Sequence, residues 1–438
     1  MIVCDKTTNL TPKKFKSTIN ELLLYLNSFD EGLIIISGNR NANFVLKYRS
    51  SSLSKHCLIS LEFNDYDKIP NKLKNIFKKN FSNIYFFNEL KLDLVYSNSK
   101  FKTKINSCEL MISSGTSGLQ KVVVWDKKSL NSHIKRINKS FQVDQHISEL
   151  IIMPVTHSFG LMRLRCAIER SSNIYIASSI SDLKFINKVL LETDKLFIGG
   201  VVSGLEIFLK TFFKIIKNND SEYWFESGSM RMSKDLIRNL VSLSKFKDFI
   251  FKHHYGSTEF TRFSIIDFSD LIENQTLILK NNRNDFIIND SELFINPEEW
   301  FKGYLELPGL TRNYDLLIQG KPFLKTGDLV KKTHSGFVFH ARNKEIINVN
   351  GLKFNVTKLE NELILNFEFV EDCLIIQNIN DKGFIVFIKS ITKKDNNHNQ
   401  LIKSLFVKTS YISKIRYVKK ILYTKSQKKI RNLKSYEV

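Results

Sequence analysis

No stretch of this sequence stays apolar for the roughly 18 residues that a membrane-spanning helix requires. The nearest approach, Leu196 to Ile216, is interrupted by Glu206 and Lys210 and reads as a strand followed by an amphipathic helix. The opening residues, Met1 to Lys14, lack a basic start followed by an apolar segment, so no secretory signal is expected. Cysteine is scarce: Cys4, Cys57, Cys108, Cys166 and Cys373 are odd in number and share no short spacing. That excludes a disulfide framework and a zinc knuckle and points to a reducing, cytoplasmic setting. Internal repeats, low-complexity linkers and RGG, zinc-finger or helix-turn-helix signatures are also missing.

What is present is ample for a folded protein. The 438 residues allow two or three domains, and a hydrophobic content of 42% supplies their cores. The net charge of +22 would attract nucleic acid, anionic lipid, nucleotide or an acidic carrier protein if gathered on one face. The lysines are instead scattered through a Lys-, Ile-, Asn- and Phe-rich chain, as a biased genome would place them on solvated surface. Nucleic acid is therefore not the leading partner.

Periodicity organises the chain into a layered α/β region and a smaller unit. Thr11 as cap, Pro12 in the first turn and the stripe Phe15, Ile19, Leu22, Leu23 and Leu26 predict an opening helix. Strands are predicted at Leu33 to Ser37, Asn83 to Phe87, Glu109 to Ser113, Val122 to Trp125, Leu150 to Met153, Asn173 to Ala177, Leu196 to Ile198 and Phe249 to Lys252. Helical stretches at Ser129 to Phe141, Leu183 to Leu191, Leu205 to Lys217 and Ser233 to Leu243 separate many of them. The alternation argues for a largely parallel sheet, which carries its ligand sites beyond the carboxyl ends of its strands. From about residue 344 the pattern becomes that of a separate α+β unit. It has strands at Ile346 to Val349, Glu371 to Gln377, Gly383 to Lys389 and Ile415 to Tyr423, and helices at Val356 to Leu365 and Asn399 to Ser410.

The segment richest in chemistry is Ser113-Ser114-Gly115-Thr116-Ser117-Gly118-Leu119-Gln120-Lys121, directly after an apolar strand. Its glycines permit tight turns with exposed amides, and its hydroxyls and Lys121 add donors suited to phosphate oxygens. The spacing is not that of a Walker loop. A polar hairpin turn is the competing reading. Four further segments follow in order: Met153-Pro154-Val155-Thr156-His157-Ser158-Phe159-Gly160-Leu161, His253-His254-Tyr255-Gly256-Ser257-Thr258-Glu259, Lys325-Thr326-Gly327-Asp328-Leu329, and Ala341-Arg342-Asn343-Lys344-Glu345 running on to Gly351. The second offers an aromatic face, a hydroxyl and a carboxylate, the last an oxygen ligand of the kind hard cations prefer. Asp328 offers two acceptor oxygens.

In this order the segments resemble those of the acyl-adenylate-forming superfamily, which includes acyl-CoA synthetases, acyl-AMP ligases and the adenylation domains of peptide synthetases. The resemblance runs from Ser113 to Arg431, about three quarters of the chain, and the region before residue 110 looks abbreviated beside most members. It implies a large layered α/β domain, residues 1–343, and a small mobile α+β domain, residues 344–438, with Lys344 at the hinge. ATP and Mg2+ are implied as cofactors. The residues implied to hold them are Ser113, Ser114, Gly115, Thr116, Ser117, Gly118, Lys121, Gly228, Ser229, His253, Tyr255, Gly256, Thr258, Asp328 and Arg342, with Glu259 on the metal. His157 would sit beside the acid's carboxylate, and Gly228 and His254 would line the acid's pocket. Thr424 to Arg431 is similar to the terminal element whose lysine enters the adenylation site. Lys428 takes that place, with Lys429 as the alternative. Gln120, Val122, Leu422 and Gln427 depart from the family pattern.

The implied function is ATP-dependent activation of a carboxylic acid to acyl-AMP, followed by thioester formation on an acyl carrier protein or coenzyme A. The basic charge leans the acceptor towards the acidic carrier. His254, where many relatives have glycine, leans the acid towards a small or hydroxylated one. The rival reading is a degenerate member that binds nucleotide or acyl-AMP without turnover.

Overall fold

The computed structural model describes the chain except residues 104, 114–120, 230–231, 274–276, 280–284, 298–299, 307–308, 312–314, 350–351, 379–382, 393–395, 405–411, 423–428, 430, 432 and 437–438, and except the side chains of 309, 344, 348–349, 352–353, 396 and 434–435. Most of the phosphate-loop residues, Ser114 to Gln120, and Lys428 therefore lie outside the described residues, as does the side chain of the Lys344 hinge. The fold is mixed α/β. It divides into two compact units, the first comprising Met1–Phe286, Ile295–Leu324 and Lys332–Val338, the second Ile287–Phe294, Lys325–Lys331 and Phe339–Val438.

Two eight-stranded sheets build the first unit. One holds β1 (Val3–Cys4), β2 (Asn9–Leu10), β9 (Ser148–Ile151), β10 (Ile174–Ile176), β11 (Lys195–Val201), β12 (Glu222–Gly228), β13 (Phe249–Tyr255) and β14 (Ser264–Asp267), in the order β14-β13-β12-β11-β9-β10-β1-β2. Its interior pairs are parallel and only its edges, β14 and β2, run antiparallel. The other sheet has a parallel centre of β3 (Leu33–Ser37), β4 (Cys57–Leu61), β5 (Asn83–Asn88) and β7 (Cys108–Ile112). It is extended by antiparallel pairing of β6 (Lys91–Ser97) on β5 and of β8 (Val122–Asp126) on β7, and then by the strands Gly303–Glu306 and Gly309–Thr311.

Burial explains the layering. The opening helix α1 (Pro12–Asn27) is capped by Thr11 and buries Phe15, Ile19, Leu22 and Leu26. With α2 (Ala42–Leu53) and α5 (Ser158–Glu169) it joins one cluster containing Ile34, Ile36 and Leu58 of one sheet and Ile151, Ile174 and Ile176 of the other. The two sheets thus share a core. On the far side of the first sheet, α6 (Leu183–Glu192), α7 (Val202–Asn218) and α8 (Lys234–Ser244) bury leucine and phenylalanine stripes against β11 to β13. The helix α4 (Lys127–Phe141) begins directly after β8, with the Asp126 carboxylate accepting from Lys128 and Ser129 amides.

Several elements escaped the periodicity. The helices α2 and α5 are covered nearly all round, burying Lys47, Ser50 and Ser51 in one and Arg163 and Arg165 in the other, so no polar stripe marks them. In β12 the buried Glu226 and Ser227 hide a strand.

In the second unit, the strands Ile346–Val349 and Leu352–Asn355 pair as a hairpin. The helix Val356–Asn366, capped by Asn355, packs on a three-stranded sheet of Val370–Gln377, Phe384–Ser390 and Ile412–Tyr417. Its core holds Val356, Leu363, Cys373, Ile375, Val386 and Ile388. The last strand lies earlier than the apolar run Ile415 to Tyr423 suggests. It pairs in parallel with Phe384–Ser390 from Ile412 to Tyr417, and Val418 makes the final bond to the Ile388 carbonyl as its partner ends. All five cysteines are free thiols, and among the described residues no helix is long and apolar enough to cross a membrane.

Candidate active site

The site residues of the first unit gather beyond the carboxyl ends of β7, β9, β12 and β13, the crevice in which open α/β sheets bind ligands. Ser113 and Lys121 close the neck of the Ser113 to Lys121 loop. The Ser113 amide donates to the Lys121 carbonyl at 2.9 Å, and the Lys121 amide donates to Ser113 Oγ at 3.2 Å. From this neck β8 carries Trp125, fully buried, whose indole Nε1 donates to the Thr258 carbonyl at 3.1 Å. The strand after the loop thereby pins the Tyr255 to Glu259 segment.

A second link joins the same two segments. Tyr304, on the strand paired to β8 opposite Val123, donates its hydroxyl to Glu259 Oε1 at 3.0 Å. Its ring carries the Lys121 ammonium 4.2 Å from the centroid. Burial and the Glu259 charge push the Tyr304 phenol well up, so it keeps its proton and acts as the donor. Tyr304 was not foreseen. An aromatic on an apolar strand carries no signal of function until the sheet sets it beside a carboxylate.

Glu259 suits a hard divalent cation. It is a half-buried carboxylate, and among the described residues Tyr304 supplies its hydrogen-bond donor. No cluster of three or more His, Cys, Asp or Glu able to hold a metal exists among the described residues. A single carboxylate completed by phosphate oxygens and water is the usual arrangement for Mg2+.

The turn Gly256 to Phe263 is held by backbone packing. A Cβ on Gly256 would lie 2.5 Å from the Phe260 carbonyl and 2.7 Å from the Arg262 amide, so only glycine fits. Tyr255 is half-buried at the end of β13. His157 stands at the N-cap of α5, with its carbonyl accepting from Leu161 at 2.9 Å. Gly160 in the first turn of that helix packs against the Pro154 carbonyl, where a Cβ would meet it at 2.3 Å.

Beneath these loops lies a dry ionic lattice that the motifs did not announce. Glu226, with no exposed surface, accepts from Arg262 Nε at 2.6 Å and Nη2 at 3.1 Å and from Arg163 Nη1 at 3.3 Å. Arg163 also grips Glu149 through Nε and Nη2, both at 2.7 Å. His254 places Nδ1 2.7 Å from Glu226 Oε1 and sets its ring edge-on to Phe159, with centroids 4.7 Å apart. Burial raises the cost of charge on Glu226, but Arg262, His254 and Arg163 outweigh it and hold the carboxyl well below its ordinary range. Burial and Arg262 push the His254 pKa down, with Glu226 opposing them.

The His254 ring rests directly on Gly228, where a Cβ would fall 2.2 Å from ring atoms. Neighbouring Gly199 is covered in the same way by Arg163 and Phe159, at 3.1 and 3.4 Å. Side chains therefore fill the volume over these strand ends. On the opposite face, His253 Nδ1 meets Ser227 Oγ at 2.6 Å, both groups buried. Ser229, just beyond β12, adopts a left-handed φ of 69°.

Asp328, Arg342 and Lys344 belong to the second unit. Asp328 is 3% exposed and its Oδ1 lies 2.7 Å from Arg342 Nε, so the nucleotide-contacting pair expected from the sequence is joined by an ion pair. Gly327, at φ +78°, turns the chain so that the Asp328 amide donates to Thr326 Oγ1 at 3.1 Å. Lys344 lies in a short 3-10 turn, Asn343–Glu345. Of the two terminal lysines, Lys429 is the one among the described residues. Its Nζ lies 2.9 Å from Asp372 Oδ1 and 3.4 Å from Glu360 Oε2. Arg431 Nη2 donates to the same Glu360 oxygen at 3.0 Å.

Comparisons with known proteins agree with this fold. No protein-family profile matches the chain. It is similar to an acyl-CoA ligase of Alternaria alternata, 26% identical over 299 residues, which is 61% of this chain and 49% of that protein. The chain spans about half the length of that relative. It is also similar to the 2-succinylbenzoate–CoA ligase of Staphylococcus epidermidis, 21% identical over 411 residues, 87% of this chain and 80% of the relative. Among solved structures, the o-succinylbenzoate CoA synthetase of Bacillus subtilis in complex with its acyl-adenylate intermediate superposes with a TM-score of 0.75 at 14% identity, over 98% of this chain and 94% of that one. ATP-bound MatB of Rhodopseudomonas palustris does so at 0.71 and 13%, over 99% and 95%. The chain is thus similar in sequence to curated acyl-CoA ligases and shares the mixed α/β fold, with a small C-terminal domain, of these adenylate-forming structures.

Proposed function

We propose that the chain uses ATP and Mg2+ to convert a carboxylic acid to its acyl-adenylate, releasing pyrophosphate, and then transfers the acyl group to the thiol of coenzyme A. The observation that carries this reading is the meeting of Lys121, Tyr304 and Glu259, reinforced by the Trp125 bond to Thr258. It brings a cationic loop neck and a metal-suited carboxylate to one place at the strand ends.

Joining a carboxylate to a phosphate brings two anions together, so positioning and charge neutralisation supply most of the rate. Lys121 and the Ser113 neck would hold the departing phosphates, with Ser114 to Gly118 completing the loop. Thr258 would meet the α-phosphate, and Glu259 would hold Mg2+, whose charge offsets that of the phosphates. Tyr255, with Gly228, Ser229, His253 and Gly256 around it, would face adenine. Asp328 would take the ribose hydroxyls, with Arg342 fixing its carboxylate. His157 would orient the acid, and Lys428 would supply the final cation.

The acceptor is the finer question. Basic charge favours an acidic carrier protein, but the curated relatives are named as CoA ligases, which supports coenzyme A. The acid is read as small or hydroxylated, because His254, Arg163 and Phe159 occupy the volume over Gly228 and Gly199. We place the functional boundary between residues 343 and 344, with Lys344 as pivot between the two half-reactions.

The test is acid-dependent exchange of pyrophosphate into ATP, run across a panel of carboxylic acids from acetate to palmitate. Exchange with short or hydroxylated acids is the expected result. Preference for palmitate would remove the size argument. ATP binding without exchange for any acid would favour the degenerate, non-turning-over reading. Lys344→Pro should impair thioester formation more than adenylation, and equal loss of both steps would remove the pivot.

A further inference from the structure

Tyr304 touches both halves of the proposed phosphate and metal site, yet no motif contains it. It lies on Gly303–Glu306, clamped between β8 and Gly309–Thr311, with register partners Val123 on one side and Thr311 on the other. Its ring therefore has little freedom, and Phe301 packs edge-on against it with centroids 5.3 Å apart. The hydroxyl reaches Glu259 Oε1 at 3.0 Å while the ring face receives the Lys121 ammonium at 4.2 Å.

Each contact answers a physical need. A carboxylate on a turn rotates about its χ angles unless one oxygen is fixed, and a second-layer donor on one oxygen aims the other at a metal. A lysine at the mouth of a loop has four rotatable bonds, and an aromatic face confines its charge without neutralising it as a carboxylate would. One phenol thus sets the direction of the metal's carboxylate and the position of the phosphates' cation.

Building on the adenylation reading above, we infer that Tyr304 is a positioning residue that orients Glu259 for Mg2+ and holds Lys121 ready for the nucleotide's phosphates.

The experiment is calorimetric titration of the full chain with ATP, with and without Mg2+, which needs no knowledge of the acid. Four proteins are compared: wild type, Tyr304→Phe, Glu259→Gln and the double variant, each checked for folding by its melting temperature. Phenylalanine keeps the ring under Lys121 and removes only the hydroxyl. In the wild-type background, Tyr304→Phe should lower the Mg2+-dependent gain in ATP affinity about tenfold, the lower end of what loss of a ligand's outer partner costs. In the Glu259→Gln background the same substitution should change that gain little, because the group it orients has lost its charge. Equal loss in both backgrounds would mark Tyr304 as merely structural and overturn the inference, as would no loss in either. Failure of the wild type to bind ATP at all would instead overturn the adenylation reading, and this inference with it.

Discussion

Two buried glutamates, one in each compact unit, invite comparison. Glu226 lies under the strand ends of the first unit, wholly covered, with Arg163 from α5, Arg262 from the turn after β13 and His254 from β13 as its neighbours. Glu360 lies on the helix Val356–Asn366 of the second unit, where Oε1 accepts from the Ile375 amide at 2.7 Å and both oxygens meet cations. Those cations, Lys429 and Arg431, come from a single tail and keep 16% and 24% of their side chains exposed. The first carboxylate ties together elements already fixed by sheet and helix packing. The second anchors the tail, whose Lys429 also meets Asp372 and whose Arg431 also meets the Ile375 carbonyl. Burial of an ion pair can therefore serve two ends: one braces a floor, the other tethers a tail.

The comparison can be tested, beginning with the largest effect. Glu226→Ala leaves the Arg262 guanidinium buried without its carboxylate, while Arg163 keeps Glu149, and should cost about 3–5 kcal/mol in urea unfolding. A loss below 1 kcal/mol would show that the lattice relaxes easily and is no floor. Lys428→Ala should slow acyl-adenylate formation about 100- to 1000-fold if it supplies the preorganised cation. Lys429→Ala, removing an anchored group, should instead lower the stability of the second unit. Burial opposes the Lys429 charge, but Glu360 and Asp372 outweigh it and raise its pKa, which marks it as a committed ion-pair partner. A reversal of those two phenotypes would exchange the roles of the neighbouring lysines. Glu360→Gln should destabilise the second unit by about 1–3 kcal/mol in urea unfolding, the range for a hydrogen bond to a charged group.

The smallest effect is in pH. His254 is depressed below its ordinary 6.5 by burial and Arg262, so the unfolded chain binds its proton first as the pH falls. Stability should therefore decline as pH drops from about 6.5 towards the folded value, because the unfolded state there holds more protons. Glu226 works lower. Its contribution is fully present above the ordinary carboxylate range and is lost only as the pH falls through its depressed folded value. In His254→Phe the slope between pH 6.5 and 5 should flatten, measured by thermal melting, with a residue from His56, which burial also depresses. An unchanged slope would place the His254 proton elsewhere.

Much of this molecule could be read from its residues in order. Apolar stripes and caps located α1, α4, α6, α7 and α8, and short apolar runs located β3, β5, β8 and β11, because those elements bury one face or are covered on both by neighbours. The loop, Tyr-Gly-Ser-Thr-Glu and Thr-Gly-Asp segments stood out in the sequence because their proposed chemistry is local: glycine for a turn, hydroxyl and carboxylate within a few residues. Other features depend on residues remote along the chain and on faces that only packing brings together. Tyr304 meets Glu259 and Lys121 because β8 and Gly303–Glu306 pair, and Glu226 meets Arg163, Arg262 and His254 because two strand ends, a turn and a helix converge. A charge in a sequence carries no sign of whether water or another charge will surround it. Desolvation decides that, and desolvation is a property of the assembled fold.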